Sequence, residues 1–160
     1  MKALELAQRL TARFGDSLSA PAEFRGEITL ALADPERIAE VCQFAKSDLG
    51  FDYLVDITSI DNYGDDPRFT LVYHLYGYGH LQQLRLKTSV GEEKCEAPTV
   101  ITVWRSADWH EREIFDMMGI RVLKGRTFTE NDLVGTQRVA VVFASLLQNG
   151  LEGRGHNVSL

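Results

Sequence analysis

The apolar positions change period twice along the chain. From Met1 to Phe14, Leu4, Ala7, Leu10 and Phe14 recur at helical spacing, and Gly15 followed by Asp16-Ser17 ends the stripe. Between Gly26 and Leu32 the period falls to two, with Ile28, Leu30 and Leu32 on one face of a strand. Asp34 then stands where a helix cap belongs, with Pro35 at the first helical position. Ile38, Val41, Cys42 and Ala45 continue a helical stripe that Gly50 closes.

From Phe51 the texture is that of strands. The run from Asp52 to Ile60 is rich in β-branched and aromatic residues, and Asn62 to Pro67 is turn chemistry. Phe69 to Tyr76 is nearly apolar on both faces, which predicts a central strand. Gly77-Tyr78-Gly79-His80 marks a hairpin, and Leu84 to Lys87 alternates on the return. The polar stretch Ser89 to Pro98 reads as an exposed loop, and Thr99 to Trp104 as a short strand or the lead into a helix. Helix, strand, helix, consecutive strands and a last helix predict an α+β domain, its sheet mixed or antiparallel with helices mainly on one face. No repeat, linker or low-complexity tract divides it, so a single domain is expected.

At 160 residues the chain is long enough to bury one sizeable core. Its formal charge of −6 argues against a nucleic-acid partner, which needs clustered Lys and Arg. Cys42 and Cys95 are far apart and in no CxxC arrangement, too few for an iron–sulfur cluster or a structural zinc site. Two lone thiols suit a reducing cytosolic compartment, and the start Met1-Lys2-Ala3-Leu4-Glu5 is not a secretory signal. No apolar run reaches the roughly 20 residues of a membrane span, so membrane association is expected only through a partner.

Ser106 to Ile120 has the marks of a short bounded helix. Asp108 is a candidate N-cap with Glu111 completing a capping box, Gly119 is a natural residue after the C-terminus, and Arg112 and Asp116 stand four apart. The helix is expected from about Trp109 to Met118. His110-Glu111 opens like a zinc-protease helix, but Ile114 stands where the second His belongs, so no metal is assigned. The acids and Arg112 also fit a plain solvated face, Tyr73, Tyr76 and Tyr78 fit packing, and His74 fits a satisfied sheet histidine. No nucleophile–base pair, phosphate loop or paired catalytic carboxylates emerge from the spacing.

The stretch Trp104-Arg105-Ser106-Ala107-Asp108-Trp109-His110-Glu111-Arg112-Glu113-Ile114-Phe115-Asp116-Met117-Met118-Gly119-Ile120 resembles the signature of the complex I C-subunit family, with its Glu-Arg-Glu triplet, downstream acid and Gly-Ile. Gly50 to Thr58, Tyr73-His74-Leu75 and Ala97-Pro98-Thr99-Val100 look like other segments of that family, so the resemblance covers roughly 25–121. It implies a non-catalytic subunit of a proton-pumping NADH:quinone oxidoreductase, peripheral on the cytoplasmic face of a bacterial cell membrane. The chain itself would hold no cofactor, FMN and iron–sulfur clusters belonging to partner subunits. The partners implied are other hydrophilic-arm subunits, chiefly the quinone-site subunit. Asp108, Trp109, Glu111, Arg112, Glu113, Phe115, Asp116 and Gly119 are then the signature-helix residues of a partner interface. A related NDH-type or membrane-bound hydrogenase complex, or a free-standing small enzyme or binding domain using the acids from Glu111 to Asp116, are the alternatives.

After Gly119-Ile120 the family pattern is not resumed. Residues 122–160 form a divergent tail whose one apolar run is Val139 to Leu147. A lost reading frame near residue 122 is the expectation, leaving the tail poorly ordered or loosely packed and assembly impaired.

Overall fold

The computed structural model describes residues 2–123. Helix α1 (Ala3–Phe14) buries Leu6, Ala7, Leu10 and Phe14. Leu4, which the spacing placed in the stripe, is exposed, and Leu6 takes its place in the core. Strands β1 (Ala22–Phe24) and β2 (Glu27–Leu32) follow, and the Asp34 side chain accepts from the Glu36 amide at 3.0 Å. Asp34 thus caps the 3-10 turn Pro35–Arg37, which leads into α2 (Ile38–Ser47) with Ile38, Val41, Cys42 and Ala45 inward.

Strands β3 (Tyr53–Asp61), β4 (Phe69–Gly77) and β5 (Gln82–Val90) form the consecutive run. The sheet order is β1-β2-β5-β4-β3, with β2 and β5 parallel and every other pair antiparallel. The mixed sheet is therefore as expected. Strand β4 is interior, but the middle place belongs to β5, because β2 pairs with the return strand of the hairpin.

The register decides which face is the core. Leu30, Leu86, Tyr73 and Ile57 oppose one another across four strands, and all are buried with Leu75, Leu84 and Leu54 in one cluster with α1 and α2. The other face carries the alternate residues, among them Thr29, Arg85, His74 and Asp56. A polar chain crosses it. Arg85 donates to Glu27 through Nη2 and to His74 Nε2 through Nε at 2.9 Å, while His74 Nδ1 meets Asp56 Oδ1 at 2.5 Å. Since an arginine only donates, Nε2 must accept, which puts the ring proton on Nδ1 facing the carboxylate. His74 is the satisfied sheet histidine expected.

The stretch expected as a loop is only partly one. Ser89 and Val90 finish β5, and Glu96–Pro98 forms β6, which pairs in parallel with β7 (Arg121–Leu123). Between them Thr99 to Trp104 is a turn, with Val103 and Trp104 amides both donating to the Val100 carbonyl at 2.9 Å. Helix α3 (Ala107–Met118) is the crossover of this β6–α3–β7 unit. Val122 and Leu123, assigned to the divergent tail by sequence, belong to the described fold through β7. The remainder of that tail, with its apolar run, lies outside the described residues. Among the described residues no helix is long and apolar enough to cross a membrane.

Candidate partner interface

Helix α3 is positioned from both ends. At its C-terminus Gly119 takes φ +70, and its amide donates to Phe115 O at 2.8 Å, the left-handed cap expected there. The chain then turns back so that Arg121 N donates to Cys95 O at 2.9 Å and Thr99 N to Leu123 O at 2.7 Å. On the approach side, Lys46 of α2 donates its Nζ to the Val103 carbonyl at 2.5 Å, tying the turn to the core.

The expected cap is overturned. The backbone is already helical at Ser106 (φ −62, ψ −21), and Ala107 N bonds Trp104 O at 3.0 Å. Ala107 is fully buried, so packing starts the helix before Asp108 can cap it. Asp108 lies inside the first turn, where its Oδ2 sits 3.6 Å from Arg112 Nη2. Arg112 therefore pairs backward with Asp108 rather than forward with Asp116. Its guanidinium also lies 5.3 Å from the centroid of the Trp109 ring.

Glu111 turns inward instead of completing a capping box. Only 6% exposed, it accepts from Thr99 Oγ1 at 2.6 Å and from Val100 N at 2.8 Å. Both bonds favour the carboxylate, but burial outweighs them and raises its pKa above the ordinary range, with Asp108 adding to the rise. Nearby, burial pushes the Cys42 thiol and the Tyr73 phenol well up, and the Glu111 charge contributes to both. This carboxylate is a buckle between helix and turn. A signal for it exists in the sequence: Ala107, Glu111 and Ile114 fall on one helical face, and all three are buried.

The opposite side of α3 is open. Trp109 is 71% exposed, Phe115 52% and Met117 73%, and Arg112, Glu113 and Asp116 stand among them at the surface. Of the eight signature residues, the structure brings Asp108, Trp109 and Arg112 into contact, sets Glu113, Phe115 and Asp116 on the exposed side, and turns Glu111 into the core. A groove of ≈ 370 Å³ beside Phe115 is lined by Ile101, Asp108, Arg112, Arg121 and Leu123, with Glu111 at its floor. Among the described residues no group of three or more His, Cys, Asp or Glu is placed to hold a metal ion. What this arrangement offers is a mixed aromatic and charged surface on a rigid helix.

Residues 31–131 match the family described as the respiratory-chain NADH dehydrogenase 30 Kd subunit. The chain belongs to that family. Relatives described as the C subunit of NADH-quinone oxidoreductase include one from Geotalea uraniireducens, 41% identical over 112 residues that cover 70% of this chain and 68% of the relative. One from Geobacter sulfurreducens is 40% identical, covering 71% and 70% of the two chains. Among solved structures, a trypsin-resistant fragment (1–134) of Nqo5 superposes with a TM-score of 0.67 at 26% identity, over 80% of this chain and 100% of that fragment. A chain of the archaeal membrane-bound sulfane sulfur reductase, a respiratory membrane complex, shares the fold with TM-score 0.66 at 19% identity, over 79% and 73% of the two chains. The family match takes in the whole β6–α3–β7 unit, so both the inward buckle and the outward face of α3 lie within the family's segment of this chain.

Proposed function

We propose that the chain is a scaffold subunit of an NADH:quinone oxidoreductase, supporting electron transfer from NADH to quinone coupled to proton translocation. In this reading it contributes no catalytic residue and no redox group, FMN and iron–sulfur clusters being held by partner subunits. It sits peripherally at the cytoplasmic face of the membrane, in the hydrophilic arm beside the quinone-site subunit. The observation that carries the reading is the exposed side of α3, where Trp109, Phe115 and Met117 stand among Arg112, Glu113 and Asp116 within the family segment. Aromatic residues and arginine on a rigid element are the side chains that anchor protein interfaces, while the acids fix orientation.

The test is co-purification from native membranes through a tag on this chain. Flavin- and cluster-bearing subunits should be recovered with NADH:quinone activity, and Trp109→Ala with Phe115→Ala should lower that recovery about tenfold or more, as loss of interface anchors does. Because both side chains are exposed, the isolated variant should keep its unfolding temperature. Recovery at the unchanged level would overturn the assignment of α3 as the docking helix. Electron-input subunits of another kind, such as hydrogenase chains, would instead identify a related membrane complex.

A further inference from the structure

The face of the sheet turned away from α1 and α2 carries a pattern of its own, set out in rows by the register. Tyr53 stands opposite Tyr76, Tyr76 opposite Gln83, and on the outer pair Phe24 opposite Glu27. The parallel pairing of Thr29 with Arg85 puts Glu27 level with Gln83, so one row crosses all five strands. Neighbouring strands lie about 4.8 Å apart, and the row therefore spans roughly 19 Å from Tyr53 to Phe24.

Aromatic side chains stand at both ends of this row. Tyr78, 60% exposed, packs on Tyr53 with ring centroids 5.7 Å apart and on Tyr76 at 5.0 Å. Its amide donates to Asp52 Oδ1 at 3.0 Å, which fixes the hairpin at that end. Phe24, 68% exposed, takes the other end, with the Arg25 guanidinium 5.1 Å from its ring centroid. Between the ends lies a cleft of ≈ 210 Å³ whose polar lining is Glu27, Gln83, Asp56, His74 and Arg85. Arg85 neutralises Glu27. Asp56 is bonded to a neutral ring, because Arg85 Nε keeps His74 Nε2 an acceptor, and it retains its charge. Two carboxylates against one guanidinium leave the cleft a surplus of one negative charge. A carboxylate offers about four acceptor sites, of which the His74 proton occupies one on Asp56.

We propose that this sheet face is a second docking surface, which takes a segment of a neighbouring subunit bearing an arginine or lysine between two apolar side chains. The cation enters the cleft and bonds Asp56, while the flanking side chains pack on Tyr53 and Tyr78 at one end and on Phe24 at the other. The nearby tyrosine rings add to the attraction for a cation. The charge of the cleft selects this occupant: a wholly apolar or acidic insert would bury Asp56 without a counter-charge. The proposal rests on the reading of the chain as a subunit of a complex.

Hydroxyl-radical footprinting of the isolated full chain and of the assembled complex, read by mass spectrometry, tests it. Assembly should slow oxidation of Tyr53 and Tyr78 about fivefold or more, as for side chains that pass into the core of an interface. Unchanged oxidation there beside a protected Trp109 would leave the docking helix standing and overturn the second surface. No protection at either place would overturn both. Slow oxidation already in the isolated chain assigns the face to a second copy if the chain is dimeric and to a segment of its own if monomeric, and either overturns the proposal. As a second measurement, Asp56→Asn removes the charge and keeps an acceptor for the His74 ring proton, so the isolated variant should unfold at the parent temperature. Its retention in the complex should fall about tenfold, the result of leaving a partner's cation unpaired, and Asp56→Glu should restore it. Full retention of the folded Asp56→Asn chain would mean that no cation enters the cleft and would overturn the proposal.

Discussion

Glu111 carries the sharpest consequence at the scale of single residues. Its two oxygens hold Thr99 Oγ1 and Val100 N, so Glu111→Ala leaves a buried hydroxyl and a buried amide without their acceptor. The expected loss is about 1–3 kcal/mol in chemical denaturation, the usual result of orphaning buried polar groups. Glu111→Gln keeps one acceptor and should lose less. The pH dependence has a definite sign. Burial raises this carboxyl above its unfolded value, so the folded state binds the proton more tightly and is favoured at low pH. Its contribution to stability therefore falls as pH rises from the unfolded carboxylate range through the raised folded pKa, and Glu111→Gln should flatten that fall. An unchanged slope in the variant would mean that another group produces it. Asp61 has the opposite sign: the Arg68 guanidinium holds its carboxyl low, so its contribution is present at neutral pH and is lost on acidification. Asp108→Ala, judged by sequence to remove a cap, removes only a surface pairing with Arg112 at 3.6 Å. Its cost in the same assay should be about 0.5 kcal/mol or less rather than the roughly 1 kcal/mol of a lost N-cap.

At the scale of elements, Gly119 sets the exit of α3. Its φ of +70 lies in the left-handed region, and an added Cβ would find no heavy atom within 4 Å. Gly119→Ala thus isolates backbone strain from any clash, and should lower stability by about 1–2 kcal/mol in thermal or chemical unfolding. A neutral result would show that the turn into β7 relaxes. This exit was legible in the sequence, as were α1, β2, α2 and the β4–β5 hairpin, because each follows from local spacing of apolar residues or from a turn dipeptide. The failures share a cause. Strands β1, β6 and β7 are three residues long, too short for a period, and the β6–β7 pairing joins Glu96 to Arg121 across the whole of α3. The start of α3 was misplaced because Asp108 and Glu111 match a local capping pattern, while the burial of Ala107 and the Thr99–Val100 turn decide the matter from outside the helix. Local chemistry foretold the outward face of α3, and long-range contact determined which of its acids turned inward.

For the whole molecule, the described fold runs two residues past the point where the sequence pattern breaks, through β7. Deleting 122–160 would remove Leu123, whose carbonyl accepts from Thr99 N at 2.7 Å, and Val122, which pairs with Ala97. Those contacts hold the same turn that Glu111 buckles to α3, so such a truncation should destabilise the domain and loosen the helix meant to meet a partner. A truncation after Leu123 keeps them. The family match runs to residue 131, past the break near 122 expected from the sequence; if the reading frame is nonetheless lost there, nothing selected the later residues to fit this core. On that expectation, removal of 124–160 changes the unfolding free energy by about 1 kcal/mol or less, as for a terminus outside the cooperative unit. Thermal unfolding of the two truncations beside the full chain separates the contributions. A large loss for 122–160 with little for 124–160 places the end of the cooperative fold at β7. A loss of several kcal/mol on removing 124–160 would make those residues part of that unit and sink the frame-loss account, as would the same frame recovered by resequencing independent isolates.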